Sequence, residues 1–136
     1  MIPVKAIEFK AIAIAIVATL SLDLLLSVAL TSVFMGPGAA GSMTDSQIDA
    51  LLSNQRFLMW SLFLGTISTT IGGFLAARFS RSVPYFHALI YGIFGLIFSL
   101  LTSDGLPLWY NAIGYAVLLP AALVGGHIAK RSTPRL

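Results

Sequence analysis

Four apolar runs, at roughly residues 7–35, 57–77, 84–103 and 106–129, leave this chain almost no choice of fold. Each can supply the roughly 20 helical residues that cross a hydrocarbon core about 30 Å thick. None alternates polar and apolar positions as a barrel strand must, so helices are the spanning element. The runs dominate a chain of 136 residues that is 57% hydrophobic and only 10% charged, too little polar surface to coat a soluble domain. The expectation is an all-α membrane protein. Its four transmembrane helices form an up-down bundle, a single domain over residues 1–136.

The eight basic residues fix the threading. Lys5 and Lys10 precede span 1, Arg78 and Arg81 separate spans 2 and 3, and Lys130, Arg131 and Arg135 follow span 4; Arg56 alone falls on the opposite side. By the positive-inside rule both termini are cytoplasmic and the protein is a multi-pass component of a cell's inner membrane. The net charge of +3 then reads as a topology signal with contact to anionic lipid, not as a nucleic-acid patch. The first run is about twice the length of a signal-peptide core and is interrupted by Asp23, which makes it an uncleaved anchor. There is no cysteine, hence no disulfide, thiol catalysis or thiolate metal site.

Between the spans the punctuation is local. Gly36-Pro37-Gly38 stops span 1. Thr44 with Gln47 has the form of a capping box, and Ile48, Leu51 and Leu52 give one apolar face, so a short interfacial helix over about 44–54 should set the direction of span 2. Ser82-Val83-Pro84 allows a tight turn with Pro84 in the first turn of span 3, and Ser103-Asp104-Gly105 closes that span. Trp60, Trp109 and Tyr110 fall at headgroup level, and Pro120 should kink span 4.

One string recurs. "GGFLAAR" ends span 2 at Gly72–Arg78 and "GGHIAKR" ends span 4 at Gly125–Arg131. Both spans run in the same direction, so the glycines sit in equivalent last turns, where Gly72, Gly73, Gly125 and Gly126 should let helices approach closely. Gly65 extends this small-residue face along span 2 with Ser61, Thr69 and Ala77. Either the chain is two repeated helical hairpins related by an axis along the membrane normal, or two inward helices converged on small residues followed by a cation. The pattern leaves both open. The order of an outer helix TDSQIDALL, GGFLAAR, HALIYG and a proline-interrupted span ending GGHIAKR resembles small bacterial four-span membrane proteins of unassigned function, from about Thr44 onward. That resemblance implies a way of packing and threading and brings no activity or functional residue with it.

Asp23 carries the most chemistry. At 1.5 Å per residue it lies about 19 Å beyond Lys10, near the midplane, where an acid costs at least about 2.5–3.5 kcal/mol and must face protein or water. Thr19, Ser27 and Thr31 share its helix face; at matching depth lie Gly65, Thr66 and Thr69 in span 2, Ser99 in span 3, and Asn111 and Tyr115 in span 4. This layer is rich in hydroxyls and has no Lys, Arg or His. It reads either as a neutral acid bonding helices together or as a proton or cation site built from Asp23, Thr19, Ser27, Thr66, Thr69, Ser99, Asn111 and Tyr115. His87 and His127 fall near the inner ends, where a solvated or lipid-facing ring is the expectation; without a carboxylate at that depth they make a poor metal site even if they meet.

No serine–histidine–acid set, carboxylate pair, HExxH or phosphate loop is present, so neither catalysis, a cofactor nor a metal is expected. The favoured function is assembly, as a homo-oligomer or an accessory subunit of a membrane complex, because the glycine and hydroxyl faces exceed what one small bundle needs. The alternative is a minimal proton- or cation-coupled transporter built on Asp23. A weaker third reading is a lipid- or hydrophobe-binding module beside Pro120. In each case the partners are membrane lipids and membrane proteins, and not nucleic acid.

Overall fold

The computed structural model describes residues 8–80, 83–102 and 105–132. Lys5, Arg81, Ser82, Ser103, Asp104 and Arg135, which entered the charge and turn expectations, lie outside the described residues, as does the start of the first expected span. Four helices are long and apolar enough to cross a membrane: α1 (Phe9–Met35), α3 (Gln55–Phe79), α4 (Pro84–Thr102) and α5 (Leu108–Ser132). The short α2 (Asp45–Leu52) follows a 3₁₀ turn at Ala39–Gly41. Among the described residues there is no strand. Large apolar side chains cover the outside, with Leu24, Leu25 and Leu101 67%, 68% and 76% exposed. Water would not tolerate a surface of that kind, whereas lipid tails cover it at no cost. The fold is a transmembrane helical bundle.

The helices alternate in direction. The start of α1, the end of α3, the start of α4 and the end of α5 therefore share one face, called here the terminal face. The opposite, loop face carries α2. Residues Lys10, Arg78, Lys130 and Arg131 belong to the terminal face and Arg56 to the loop face. On the terminal face Lys130 Nζ lies 5.0 Å from the centre of the Tyr85 ring, a cation–π contact that holds the cation at the bundle's edge.

The expected capping box of α2 forms in both directions: Thr44 N–H donates to Gln47 Oε1 at 3.0 Å, and Gln47 N–H donates to Thr44 Oγ1 at 3.4 Å. Leu51 is the side chain that α2 buries. Asn54 caps α3 by accepting from the N–H groups of Arg56 and Phe57. Helix α4 opens on Pro84, as its fixed φ favours. Helix α5 runs unbroken through Pro120 and reaches Ser132, a turn beyond the expected end, because polar Lys130, Arg131 and Ser132 continue the helix out of the apolar layer.

The two glycine strings meet each other. A β-carbon on Gly73 would overlap the Ala122 carbonyl, and one on Gly125 would overlap the Thr70 carbonyl and crowd the Phe74 nitrogen. Helices α3 and α5 thus cross backbone against backbone, which only glycine at the contact permits. The other two glycines face α4: Gly72 accepts the Tyr91 ring and Gly126 the Ala88 methyl, 2.7 Å from where a β-carbon would stand. Ala15, Ala76, Tyr91 and Ala122 form the buried cluster around this crossing.

Two expectations change here. First, the strings do not occupy equivalent places, since Gly73 serves α5 while its counterpart Gly126 serves α4. Helix α3 packs on α4, but the contact that a two-fold relation would pair with it, α1 on α5, is absent among the described residues. Second, Gly65 is not a close-packing position: nothing lies within 4 Å of a β-carbon built there. Helices α3 and α5 come closest at Gly73–Gly125, and Gly65, farther along α3, borders open space instead of closing it.

Candidate functional site

That space is a cavity of about 400 Å³ in the loop half of the bundle, between all four long helices. Helix α1 contributes Asp23, Leu26, Ser27 and Leu30; α3 contributes Phe57, Ser61, Gly65, Thr66 and Thr69; α4 contributes Ser99 and Thr102; and α5 contributes Tyr110, Asn111, Gly114, Tyr115 and Leu118. It exists because α1 packs along α3 and touches α4 but does not reach α5. Asp23, in the middle of α1, is the deepest ionisable group on its wall, and no Lys, Arg or His lines the cavity with it.

Of the residues expected around Asp23, the structure gathers Ser27, Thr66, Thr69, Ser99, Asn111 and Tyr115 onto this one wall. Thr19 is elsewhere. It is buried one turn towards the terminal face, where its hydroxyl donates to the Ala15 carbonyl at 2.8 Å and accepts from the Tyr91 hydroxyl at 3.0 Å. The fourfold spacing puts Thr19 and Asp23 on one stripe of α1, but Tyr91 reaching across Gly72 closes the stripe off between them.

The hydroxyl chemistry of the wall is directional. Thr66 donates to the Leu62 carbonyl at 2.8 Å, Thr69 to the Gly65 carbonyl at 2.9 Å and Thr102 to the Phe98 carbonyl at 2.9 Å. A hydroxyl whose proton is committed to its own helix has only lone pairs left to offer. Ser61 and Tyr110 bond to each other at 3.0 Å near the loop end. The wall therefore combines one carboxyl group with several oxygen acceptors and no cation.

Two neighbours of Asp23 escape depth counting. Ser68 borders the carboxyl group, yet its hydroxyl, 1% exposed, closes no hydrogen bond; the two approach without reaching bonding geometry. Tyr91 is near enough for the Asp23 charge to act on its phenol. Counting residues from Arg78 points to Gly65 because it treats the helices as parallel rods. Their crossing brings Ser68 to Asp23 instead. The signal available was the second small face of α3, Ser68-Gly72-Ala76, which continues the Asp23 contact into the terminal half.

His87 contradicts the expectation of a solvated or lipid-facing ring. It is fully buried, its Nε2 accepts the Glu8 backbone N–H at 2.9 Å, and its Nδ1 lies 3.1 Å from the Val83 carbonyl. The reason is that the start of α1 lies over the start of α4. With Nδ1–H directed at a carbonyl and Nε2 accepting, both ring nitrogens are used in holding these helix ends together. His127 bonds instead to the Tyr85 hydroxyl through Nδ1 at 2.5 Å. The two histidines thus have separate partners. No group of three or more potential metal-ligating side chains is found among the described residues.

No protein-family model matches the chain, and no curated protein or solved structure is significantly similar to it. Function must therefore be argued from the cavity itself.

Proposed function

We propose that the protein is a minimal proton- or cation-coupled membrane transporter, with Asp23 as the group that exchanges the ion and the cavity as its site. One observation carries this reading: a mid-membrane acid opens onto a cavity lined by several hydroxyl acceptors and by no basic residue. An intramembrane acid is costly and is retained where it handles charge. Alternating access requires that one side be shut while the other is open, and the glycine crossing beneath the cavity supplies the shut side.

The rival premise, that the small faces exceed what one bundle needs, loses ground, since Gly72, Gly73, Gly125 and Gly126 all find partners within the protomer. Assembly keeps one point in its favour: α1 leaves α5 uncovered beside Asp23, an opening that a second copy or a host complex would close. Oligomer size in mild detergent tests it. The lipid-binding reading draws on Leu26, Leu30 and Leu118 on the same wall, but a neutral hydrocarbon gives Asp23 nothing to do. The basic residues of the terminal face further favour a bacterial-type inner membrane with both termini cytoplasmic. A cysteine at position 46 should then be labelled from outside sealed cells and one at position 132 protected; the reverse pattern would invert the threading.

The functional test is ion flux in proteoliposomes. Wild type should support proton or monovalent-cation flux, and Asp23→Asn, isosteric but fixed in the neutral state, should abolish it with thermal stability unchanged. A carboxyl band that stays protonated in infrared titration between about pH 5 and pH 9, with no flux in wild type, would remove the transporter reading.

A further inference from the structure

We infer that the cavity takes a small organic monocation, its ammonium group at Asp23 and its apolar body extended towards Phe57. This rests on reading the Asp23 cavity as a cation site and deepens it from charge to substrate class. The volume argues first. About 400 Å³ is the space of roughly a dozen liquid waters. A proton or a bare alkali ion uses almost none of it, whereas small organic ligands occupy pockets of about 300–1,000 Å³. From Asp23 to Leu30 along α1 is about 10 Å at 1.5 Å per residue, the length of a short arylalkylamine.

The wall argues second. Asp23 is the one carboxyl group on it, with no cation beside it. Hydroxyls of Ser61, Tyr110, Ser99 and Thr102 lie towards the loop end, while Leu26, Leu30, Leu118 and Phe57 give the cavity apolar surface along its length. The Phe57 ring is held edge-on by Phe34 at 5.5 Å, which fixes an aromatic surface at the far end. Such a wall suits one charge and one apolar body, and a single carboxyl group matches a single positive charge. Sulfate, phosphate or a carboxylate would meet the Asp23 carboxyl group and no cation.

Protons compete for the same carboxyl group, so binding should weaken as pH falls. The ionisable groups facing it are Tyr91 from α4 and Tyr110 and Tyr115 from α5; α3 offers hydroxyls only.

The test uses the full chain in lipid nanodiscs at about pH 7.5, where an alkylammonium of lysine-like pKa stays charged. The probe is 2-phenylethylammonium, followed by isothermal titration. Saturable binding is expected, about tenfold or more weaker in Asp23→Asn, because a charge-assisted contact is lost. Methylammonium, which lacks the body, and 2-phenylethanol, which lacks the charge, should each bind at least about tenfold more weakly. Gly65→Leu, which fills the cavity without touching the carboxyl group, should also lose binding at unchanged thermal stability. Equal binding of 2-phenylethanol, or no effect of Asp23→Asn, would overturn the proposal by making charge irrelevant. Equal binding of methylammonium or Na⁺ would overturn the substrate class and leave the cation site standing. Asp23-dependent proton flux with no binding of the amine would do the same, whereas neither flux nor binding would remove both.

Discussion

The two halves of this bundle are built from the same kinds of residue and behave in opposite ways. In the terminal half, glycine and alanine bring α3, α4 and α5 into backbone contact, so that Gly73 and Gly125 have no room for a methyl group. In the loop half, Gly65 and Gly114 sit on the same faces of the same helices and border a cavity. A β-carbon on Gly114 would meet only the Leu62 methyl at 3.6 Å, an ordinary contact. Small residues do not by themselves close helices together; they permit whichever spacing the crossing point dictates. Here the crossing lies at Gly73–Gly125, and on its loop side the two helices, joined again by Ser61 and Tyr110, border the cavity. The polar groups divide in the same way. In the closed half Thr19, Tyr91 and His87 each take part in a bond between segments; in the open half Thr66, Thr69 and Thr102 bond to their own helices, and Ser61 and Tyr110 bond across.

Substitution can break that contrast. The largest effect is expected from Gly73→Leu, where the intruding side chain meets the Ala122 backbone and not a movable side chain. It should cost about 3 kcal/mol or more, the upper range for overpacking, read as unfolding in a denaturing-detergent titration. Gly126→Leu meets the Ala88 methyl and should cost about 2 kcal/mol by the same measure. Tyr91→Phe removes only the bond to Thr19, and interhelical hydrogen bonds in membranes average about 0.6 kcal/mol. Smallest of all, Gly65→Leu should shift stability by no more than about 0.5 kcal/mol, because its side chain enters empty space. If Gly65→Leu proves as damaging as Gly73→Leu, the division into closed and open halves is wrong.

Much of the architecture is legible in the chain because its causes are local or one-dimensional. The four spans follow from hydropathy and length, the Thr44 cap from a three-residue spacing, and the α4 start from Pro84. Thr66, Thr69, Ser99, Asn111 and Tyr115 on the cavity wall are reached by counting depth, since depth is rise multiplied by residue count. What depth cannot supply is the tilt of one helix against another and the direction a side chain faces around it. That is why depth does not bring Ser68 and Tyr91 beside Asp23, and why it leaves Thr19 on the wrong side of Tyr91. Spacing makes Gly65 look like a crossing residue because it is the same for a groove and a contact. Nothing in the segment around His87 reveals that the start of α1 lies over it.

If Asp23 exchanges ions as proposed, water must reach it from the loop face through the cavity and stop at the glycine crossing. The absence of cysteine from the chain makes this directly measurable with single-cysteine variants and a membrane-impermeant thiol reagent. Cysteines at Ser27, Gly65 and Asn111 on the cavity wall should react, and only from the loop face, with rates that fall when Asp23 is approached more deeply. Cysteines at the buried Ala76 and Ala122 should stay unreacted from either side. Equal labelling of both sets, or protection of the cavity set in folded protein, would contradict the account.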